Sequence, residues 1–431
     1  MKPKYFRDPV HNFIVITRDY ILKLIDTEEF QRLRQIKQLG TSEITYYGAN
    51  HNRFSHSIGT MYLMEKALSQ LKSIGVSIDE ETEMTALTAA LLHDIGHGPF
   101  SHIFEKVIGS DHEKWTINII LGDTEINQVL QDKDKNLPQK VASVISKEYE
   151  RKYIVYLLSS QLDVDRMDYL LRDSYYVGVK YGLFDPDMIL KSMQIHGESI
   201  AIDYKGLYAV EQYIHARYYM YWQVYYHKTT RGYELLLENI LKRAKYLYEQ
   251  NRLDKGIDIL IPVFRKGNEM DIKDYIKLND NIILYAISLW RDSEDKVLRD
   301  LCNRYLRRDL YKAYELKEDN IHHIGKIENK IKEKLIQYGF EEENVEYYFG
   351  IDRPSNVTYD YYVEGEEGEK PVILIHKEGK YNSITRFSDS IKSLAGIKKY
   401  RYYLYFTRTN YEGESITDEL IKIIKEGEEG Q

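Results

Sequence analysis

Leu91-Leu92-His93-Asp94-Ile95-Gly96-His97-Gly98-Pro99-Phe100-Ser101-His102 is the stretch on which the reading of this chain turns. Ahead of it, Met84, Leu87, Ala90 and Leu91 form one helical stripe, and Ser77-Ile78-Asp79-Glu80 fits a capping box. The helix must stop near Asp94, because Gly96, Gly98 and Pro99 follow at once. A lone histidine on an apolar helix face is more often a core or capping residue than a ligand. Here His93, His97, His102 and His112 put four of the chain's 13 histidines close together among glycine and proline, a density that packing does not explain.

Upstream, Asn52-Arg53-Phe54-Ser55-His56-Ser57-Ile58-Gly59 sets another histidine just before a helical stripe. Downstream, Leu162-Asp163-Val164-Asp165-Arg166-Met167-Asp168-Tyr169 places three acids in an otherwise apolar helix. A buried carboxylate without a partner is costly, so the cluster calls for a cation, arginines or solvent. Asp165, Tyr169 and Asp173 share one helix face by their spacing of four. For Asp163 and Asp168 the plain alternative is a solvated acidic stripe.

The 431 residues suggest two or three domains, and 43% hydrophobic with 30% charged residues is the composition of a folded chain. Lys plus Arg number 60 against 68 Asp plus Glu, a net charge of −8, so nucleic acid is not expected as a partner. The single cysteine, Cys302, excludes an internal disulfide and a multi-cysteine metal site. The N-terminus lacks a signal-peptide core, and no apolar run nears the ~20 residues of a membrane span, so a cytoplasmic chain is expected.

The fold expected is mainly α, with residues 1–320 a helical domain and 321–431 a smaller α+β region. The first twenty residues, through Phe13 to Ile16, read as a short extended element. Helices are expected around 159–175, 186–194, 207–249, 272–293, 295–316, 325–338 and 416–425. Strands are expected in the runs 345–348, 358–363, 371–375 and 400–406.

His56, His93-Asp94 and Asp165 resemble the H…HD…D signature of the HD superfamily of metal-dependent phosphohydrolases. Gln31-Arg32-Leu33-Arg34-Gln35-Ile36-Lys37-Gln38-Leu39-Gly40 and the stretches around His56, His93 and Asp165 resemble its deoxynucleoside triphosphate triphosphohydrolase branch. The pattern is similar to the sterile-alpha-motif-and-HD-domain type, without a sterile alpha motif. This resemblance covers about residues 5–235 and implies a helical HD core.

The resemblance implies a divalent metal held by His56, His93, Asp94 and Asp165, whether Mg, Mn, Fe, Ni, Co or Zn. It makes His112 a general acid, oriented by Glu105, with Asp94 also part of the catalytic set. Arg53, His97 and His102 would meet phosphate oxygens, and Gln38 and Leu39 would lie at the sugar, Leu39 excluding a 2′-hydroxyl. Arg166, Tyr169 and Asp173, with Arg217, Tyr221 and Tyr225, would line the substrate pocket, although Tyr221 fits an aromatic packing stripe equally well.

Asp26, Gln31 and Arg34 match positions that read an activating guanine nucleotide between subunits, which implies a homo-oligomer, dimer or tetramer. Met188 departs from that pattern, standing where relatives often carry arginine. Two other readings stay open. One is an HD phosphohydrolase acting on a different nucleotide phosphoester; the other is a nucleotide-binding regulator with a vestigial metal site.

Overall fold

Asn52 accepts the Ser55 amide at 3.2 Å and so starts the helix Arg53–Ser73, around which the molecule is built. This computed structural model describes residues 2–317, 322–357, 359 and 372–428. Most of the first half of that helix is buried on every side, from Phe54 through Met64 apart from Ser55 and Tyr62, as expected of a core helix. The helices Glu80–Leu92 and Val164–Val177 pack against it, capped by Asp79 and Asp163, whose side chains accept the amides of Thr82 and Arg166. The cap of the first is Asp79, inside the predicted capping box, and the helix gives way at His93, next to the predicted stop.

The N-terminal extended element is a two-stranded antiparallel hairpin, Lys4–Asp8 with Asn12–Ile16. Ile14 and Ile16 anchor it in the core, while Tyr5 and Phe13 stay exposed.

Several long helices read from the sequence are broken, each for a local reason. The run 207–249 is the helix Leu207–Met220, one π turn over Tyr221–Tyr225, and the helix Lys228–Glu249 capped by His227. The Tyr226 amide reaches back five residues to the Tyr221 carbonyl. Residues 272–293 divide into Ile272–Tyr275 and Asp280–Trp290, the second restarted by Asn279. The run 295–316 is helical only over Lys296–Arg307. Arg308 then takes a left-handed φ of 60° and closes the helix without a glycine to announce it. Residues 345–348 belong to a 3-10 helix rather than a strand, and the helix expected over 186–194 ends at Lys191.

Lys312–Leu316 is instead a strand. It flanks the central strand Tyr402–Phe406 of an antiparallel sheet, with Phe349–Asp352 on the other side. A second sheet runs Met193–His196, Ser199–Asp203, Leu374–Lys377 and Lys380–Ser383, its middle pair parallel. The helix Ile324–Gln337 packs on the closing helix Thr417–Glu428. The molecule is thus mainly α with small sheets toward its C-terminal region. Of the strand expected over 358–363 only Tyr359 is among the described residues, bridging to Ala395, and Pro371 is outside them.

Candidate active site

The loop after the helix Glu80–Leu92 is held from three sides. Arg32, buried, donates to the carbonyls of Ile95 at 3.2 Å, His97 at 2.6 Å and Leu278 at 2.8 Å. Tyr275 donates to the Gly96 carbonyl at 2.6 Å, and the Gly96 amide meets Thr116 Oγ1 at 3.0 Å. A Cβ on Gly96 would sit 2.2 Å from the His112 carbonyl oxygen, so only glycine lets this loop touch the helix His112–Leu121, which follows the short helix His102–Ile108. Phe100 and Ser101 both have positive φ, 50° and 48°, a strained pair fastened where Asp280 accepts the Phe100 amide at 2.8 Å.

Three helices bring His56, His93 and Asp165 together, with ligand atoms all within 4.8 Å of one another. His93 Nδ1 donates to the Ala90 carbonyl at 2.9 Å, which turns Nε2 toward Asp165 Oδ1 at 3.4 Å and Asp94 Oδ1 at 3.5 Å. That Nε2 is buried and makes no hydrogen bond. His56 Nδ1 faces Asp168 at 2.8 Å, and its Nε2 faces Asp165 at 3.1 Å and Asp94 at 3.7 Å. Burial opposes a charge on His56, but the hydrogen bonds to Asp165 and Asp168 overcome it and push the imidazole up to about 10. Asp165 moves the other way: burial would raise it, and His56 and His93 hold it below the usual carboxylate range. An unpartnered imidazole nitrogen among carboxylates that draw positive charge is a donor set that could hold a divalent cation. Asp94 borders this group; one of its oxygens is taken by Arg53 Nη1.

A second set lies beside it. Glu105 Oε1 accepts His112 Nδ1 at 3.0 Å and Oε2 meets His102 Nδ1 at 3.2 Å. His97 stacks on His112 with ring centroids 3.9 Å apart and bridges to Asp94 at 3.3 Å. Burial favours protonation of Glu105, yet contacts with His102, His112 and His97 keep it ionised far below its ordinary value. The same Glu105 raises His112 against the effect of burial. His97 goes down to about 4, through burial and then the Arg53 charge. The two stacked imidazoles are thus shifted in opposite directions, His112 toward its charged form and His97 toward its neutral one. The His102 side chain is 74% exposed and marks the mouth of the site.

The wall beyond Asp165 is aromatic and cationic. Tyr169 lies within electrostatic reach of Tyr221, Arg166, Arg217 and Asp165. Arg217 sits over the Tyr221 ring at 5.7 Å, and Tyr221 meets Tyr225 edge-on at 5.1 Å. Asp173 Oδ2 accepts Tyr225 OH at 2.7 Å, while Oδ1 meets His51 Nε2 at 2.6 Å. The side-chain atoms Arg166 Nε, Arg217 Nε and Gln38 Oε1 are buried without a hydrogen-bond partner. Leu39 is half-buried against the core. On the opposite end of that segment, Asp26 is exposed, Gln31 donates to the Ile25 carbonyl at 2.7 Å and accepts from Arg34, and Arg34 stacks on Phe54 at 3.6 Å.

The solvated-stripe reading of Asp163 and Asp168 is wrong, since both are fully buried. Asp163 caps its helix and pairs with Arg166; Asp168 is shared by His11, His56 and Arg172. Sequence reasoning also passed over Arg32, His51, Tyr275 and Asp280. Arg32 stood inside a quoted motif and His51 next to one, and that adjacency was the available signal.

The fold and this cluster are those of a mainly helical protein with a histidine–aspartate group able to hold a metal ion. The HD domain family matches residues 53–173, and the HD associated region matches 184–394. The chain belongs to the HD superfamily of phosphohydrolases. It is 42% identical to the protein YwfO of Bacillus subtilis over 94% of this chain and 92% of that one. The crystal structure of a phosphohydrolase from Bacteroides thetaiotaomicron is 31% identical, with a TM-score of 0.81 over 94% of this chain and 100% of that one. The deoxynucleoside triphosphate triphosphohydrolase SAMHD1 homolog of Dictyostelium discoideum is 30% identical over 72% of this chain and 59% of that protein. HD domains are metal-dependent, in keeping with the His56, His93 and Asp165 group. No described helix is long and apolar enough to cross a membrane.

Proposed function

We propose that the protein hydrolyses deoxynucleoside triphosphates to deoxynucleoside and triphosphate. The observation that carries the reading is the run of buried, unpartnered guanidinium Nε atoms of Arg166 and Arg217 and the rings of Tyr169 and Tyr221, continuing from Asp165. A small phosphoester needs no wall of that length, whereas a nucleotide carrying a chain of phosphates does. The likeness to the triphosphohydrolase relative supports the same substrate class.

In this reading His56, His93, Asp94 and Asp165 hold a divalent cation, which supplies Lewis acidity toward a phosphate and toward water. Water attacks the α-phosphorus and gives up a proton to solvent, the bond from phosphorus to the 5′-oxygen breaks, and that oxygen takes a proton from His112, which solvent then restores. Glu105 favours the charged form of His112 and orients the ring for the transfer. Arg53, His97 and exposed His102 bind phosphate oxygens. Asp173 and Tyr225 hold the sugar with Gln38, and Leu39 fills the space a 2′-hydroxyl would need.

The proposal includes an activating guanine nucleotide at Asp26, Gln31 and Arg34, shared between copies of the chain. This segment runs directly into Gln38 and Leu39, a covalent route from effector to sugar pocket. The test is a product assay on metal-replete protein with each deoxynucleoside triphosphate, singly and mixed. Deoxynucleoside plus intact triphosphate supports the reading, and turnover only in mixtures supports the activator. Monophosphate as product, or no product, rejects it.

A further inference from the structure

Asp168 is not one of the groups facing the metal cluster, yet it is the most heavily bonded carboxylate near it. Its Oδ2 meets His56 Nδ1 at 2.8 Å and accepts Arg172 Nε at 2.8 Å. Its Oδ1 accepts Arg172 Nη2 at 2.9 Å and meets His11 Nε2 at 2.6 Å. His11 comes from the turn of the N-terminal hairpin. The remaining Arg172 nitrogen, Nη1, donates to Asp8 Oδ2 at 2.8 Å. Asp8 Oδ1 accepts the amides of Val10 and His11, both at 2.9 Å, and so sets the turn that presents the His11 ring. Asp8, Asp168 and Arg172 are all buried.

Gly59 gives an independent sign of how tightly this network is seated. A Cβ there would lie 1.9 Å from Asp168 Oδ1 and 2.5 Å from Arg172 Nη2. The helix that carries His56 omits a side chain one turn later so that the Asp168 carboxylate can come close.

A metal-ligating imidazole needs its far nitrogen fixed, because that hydrogen bond sets the tautomer and the ring plane. Asp168 does this for His56, directing Nε2 at Asp165. The carboxylate itself is fixed by Arg172 on one edge and His11 on one oxygen. We propose that His11 is a positioning residue for the metal ligand His56, acting through Asp168, so that the N-terminal hairpin is a working part of the metal centre. A two-stranded hairpin is marginal by itself. Its docking, by Ile14, Ile16 and His11, thereby becomes a condition for tight metal binding. The inference rests on reading His56, His93 and Asp165 as the metal cluster.

The experiment is titration of the metal-free full chain with Mn²⁺ and with Co²⁺, followed by calorimetry and by the Co²⁺ absorption spectrum. His93→Ala serves as the reference and must lose binding; if it does not, the cluster reading itself fails. With that reference in place, His11→Ala and the bulkier His11→Leu are expected to weaken binding about tenfold and to alter the Co²⁺ spectrum. His11→Gln, whose amide can still donate to Asp168, is expected to restore most of it. Arg7→Ala, on the exposed face of the same hairpin, should bind as the parent does. Parent-like affinity in both His11→Ala and His11→Leu overturns the proposal. So does equal weakening in Arg7→Ala, or failure of His11→Gln to restore binding in a protein that melts as the parent does.

Discussion

His112 Nδ1 stands 3.0 Å from Glu105 Oε1, so the ring proposed as general acid is held by a carboxylate through one nitrogen. A positioned general acid contributes about 10²–10⁴-fold to a rate. His112→Ala should lose that much in kcat while keeping its metal content and melting temperature. Glu105→Gln should lose less, because the ring remains and only its charge and aim suffer. Metal analysis with steady-state kinetics checks both, and substantial residual turnover in His112→Ala would remove it from the mechanism.

Asp280 gives a pH-dependent stability of defined sign. Burial pushes its carboxyl up to about 6 from 3.8, against the two amides, of Lys37 and Phe100, that it accepts. An acid whose folded value is raised binds its proton more tightly in the folded state. The resulting penalty is absent below about pH 4 and complete above about pH 6. Its full size is of the order of 3 kcal/mol. Asp280→Asn removes the charge at the expense of one accepted hydrogen bond. Urea unfolding should find it more destabilised, relative to the parent, at pH 4.5 than at pH 7. An identical difference at the two pH values would show that Asp280 does not titrate in that range.

Two glycines on helices should respond in opposite directions. At Gly59 an added methyl runs into Asp168 and Arg172, both held by several hydrogen bonds and unable to swing away. Gly59→Ala should therefore cost about 1–3 kcal/mol or more by overpacking. At Gly325, in the helix Ile324–Gln337, nothing lies within 4 Å of the added carbon. Gly325→Ala should be neutral or stabilising by up to ~1 kcal/mol through helix propensity. Thermal melts of the two variants decide, and stabilisation by Gly59→Ala would mean the Asp168 network is loose.

What the sequence disclosed and what it hid follow one physical rule. His56, His93, Asp94 and Asp165 stand in short motifs, and the resemblance of those motifs to the HD signature singled them out. His97, His102, Glu105 and His112 share one loop and two short helices, and proximity in the chain became proximity in space. His11 is 157 positions from Asp168, and nothing local to Asp8-Pro9-Val10-His11 shows that it reaches the carboxylate behind His56. The acids on the helix Val164–Val177 could not be sorted by spacing, because their partners His11, His56, His51 and Tyr225 arrive from elsewhere in the fold. The π turn at Tyr221–Tyr225 and the helix end at Arg308 lack the glycine or proline that punctuates other breaks, so periodicity ran straight through them. The small sheets were partly hidden for a related reason. Lys312–Leu316 and Ser199–Asp203 are completed by strands 402–406 and 374–377, far along the chain.

Tyr225 tests whether the wall beyond Asp165 meets substrate. Its hydroxyl donates to Asp173 Oδ2 at 2.7 Å, and His51 holds the other oxygen. Tyr225→Phe keeps the ring and its edge contact with Tyr221 while releasing one side of the carboxylate. Hydrogen bonds to charged groups are worth about 1.5–3 kcal/mol, so kcat/KM should fall by roughly 10- to 100-fold. If Asp173 faces the sugar in the ground state as well as in the transition state, the loss should fall on KM, with kcat nearly unchanged. If instead the loss falls wholly on kcat with KM constant, Asp173 acts on the reacting end and not on the sugar. Unchanged kcat and KM would place both residues outside the pocket and leave them as packing alone.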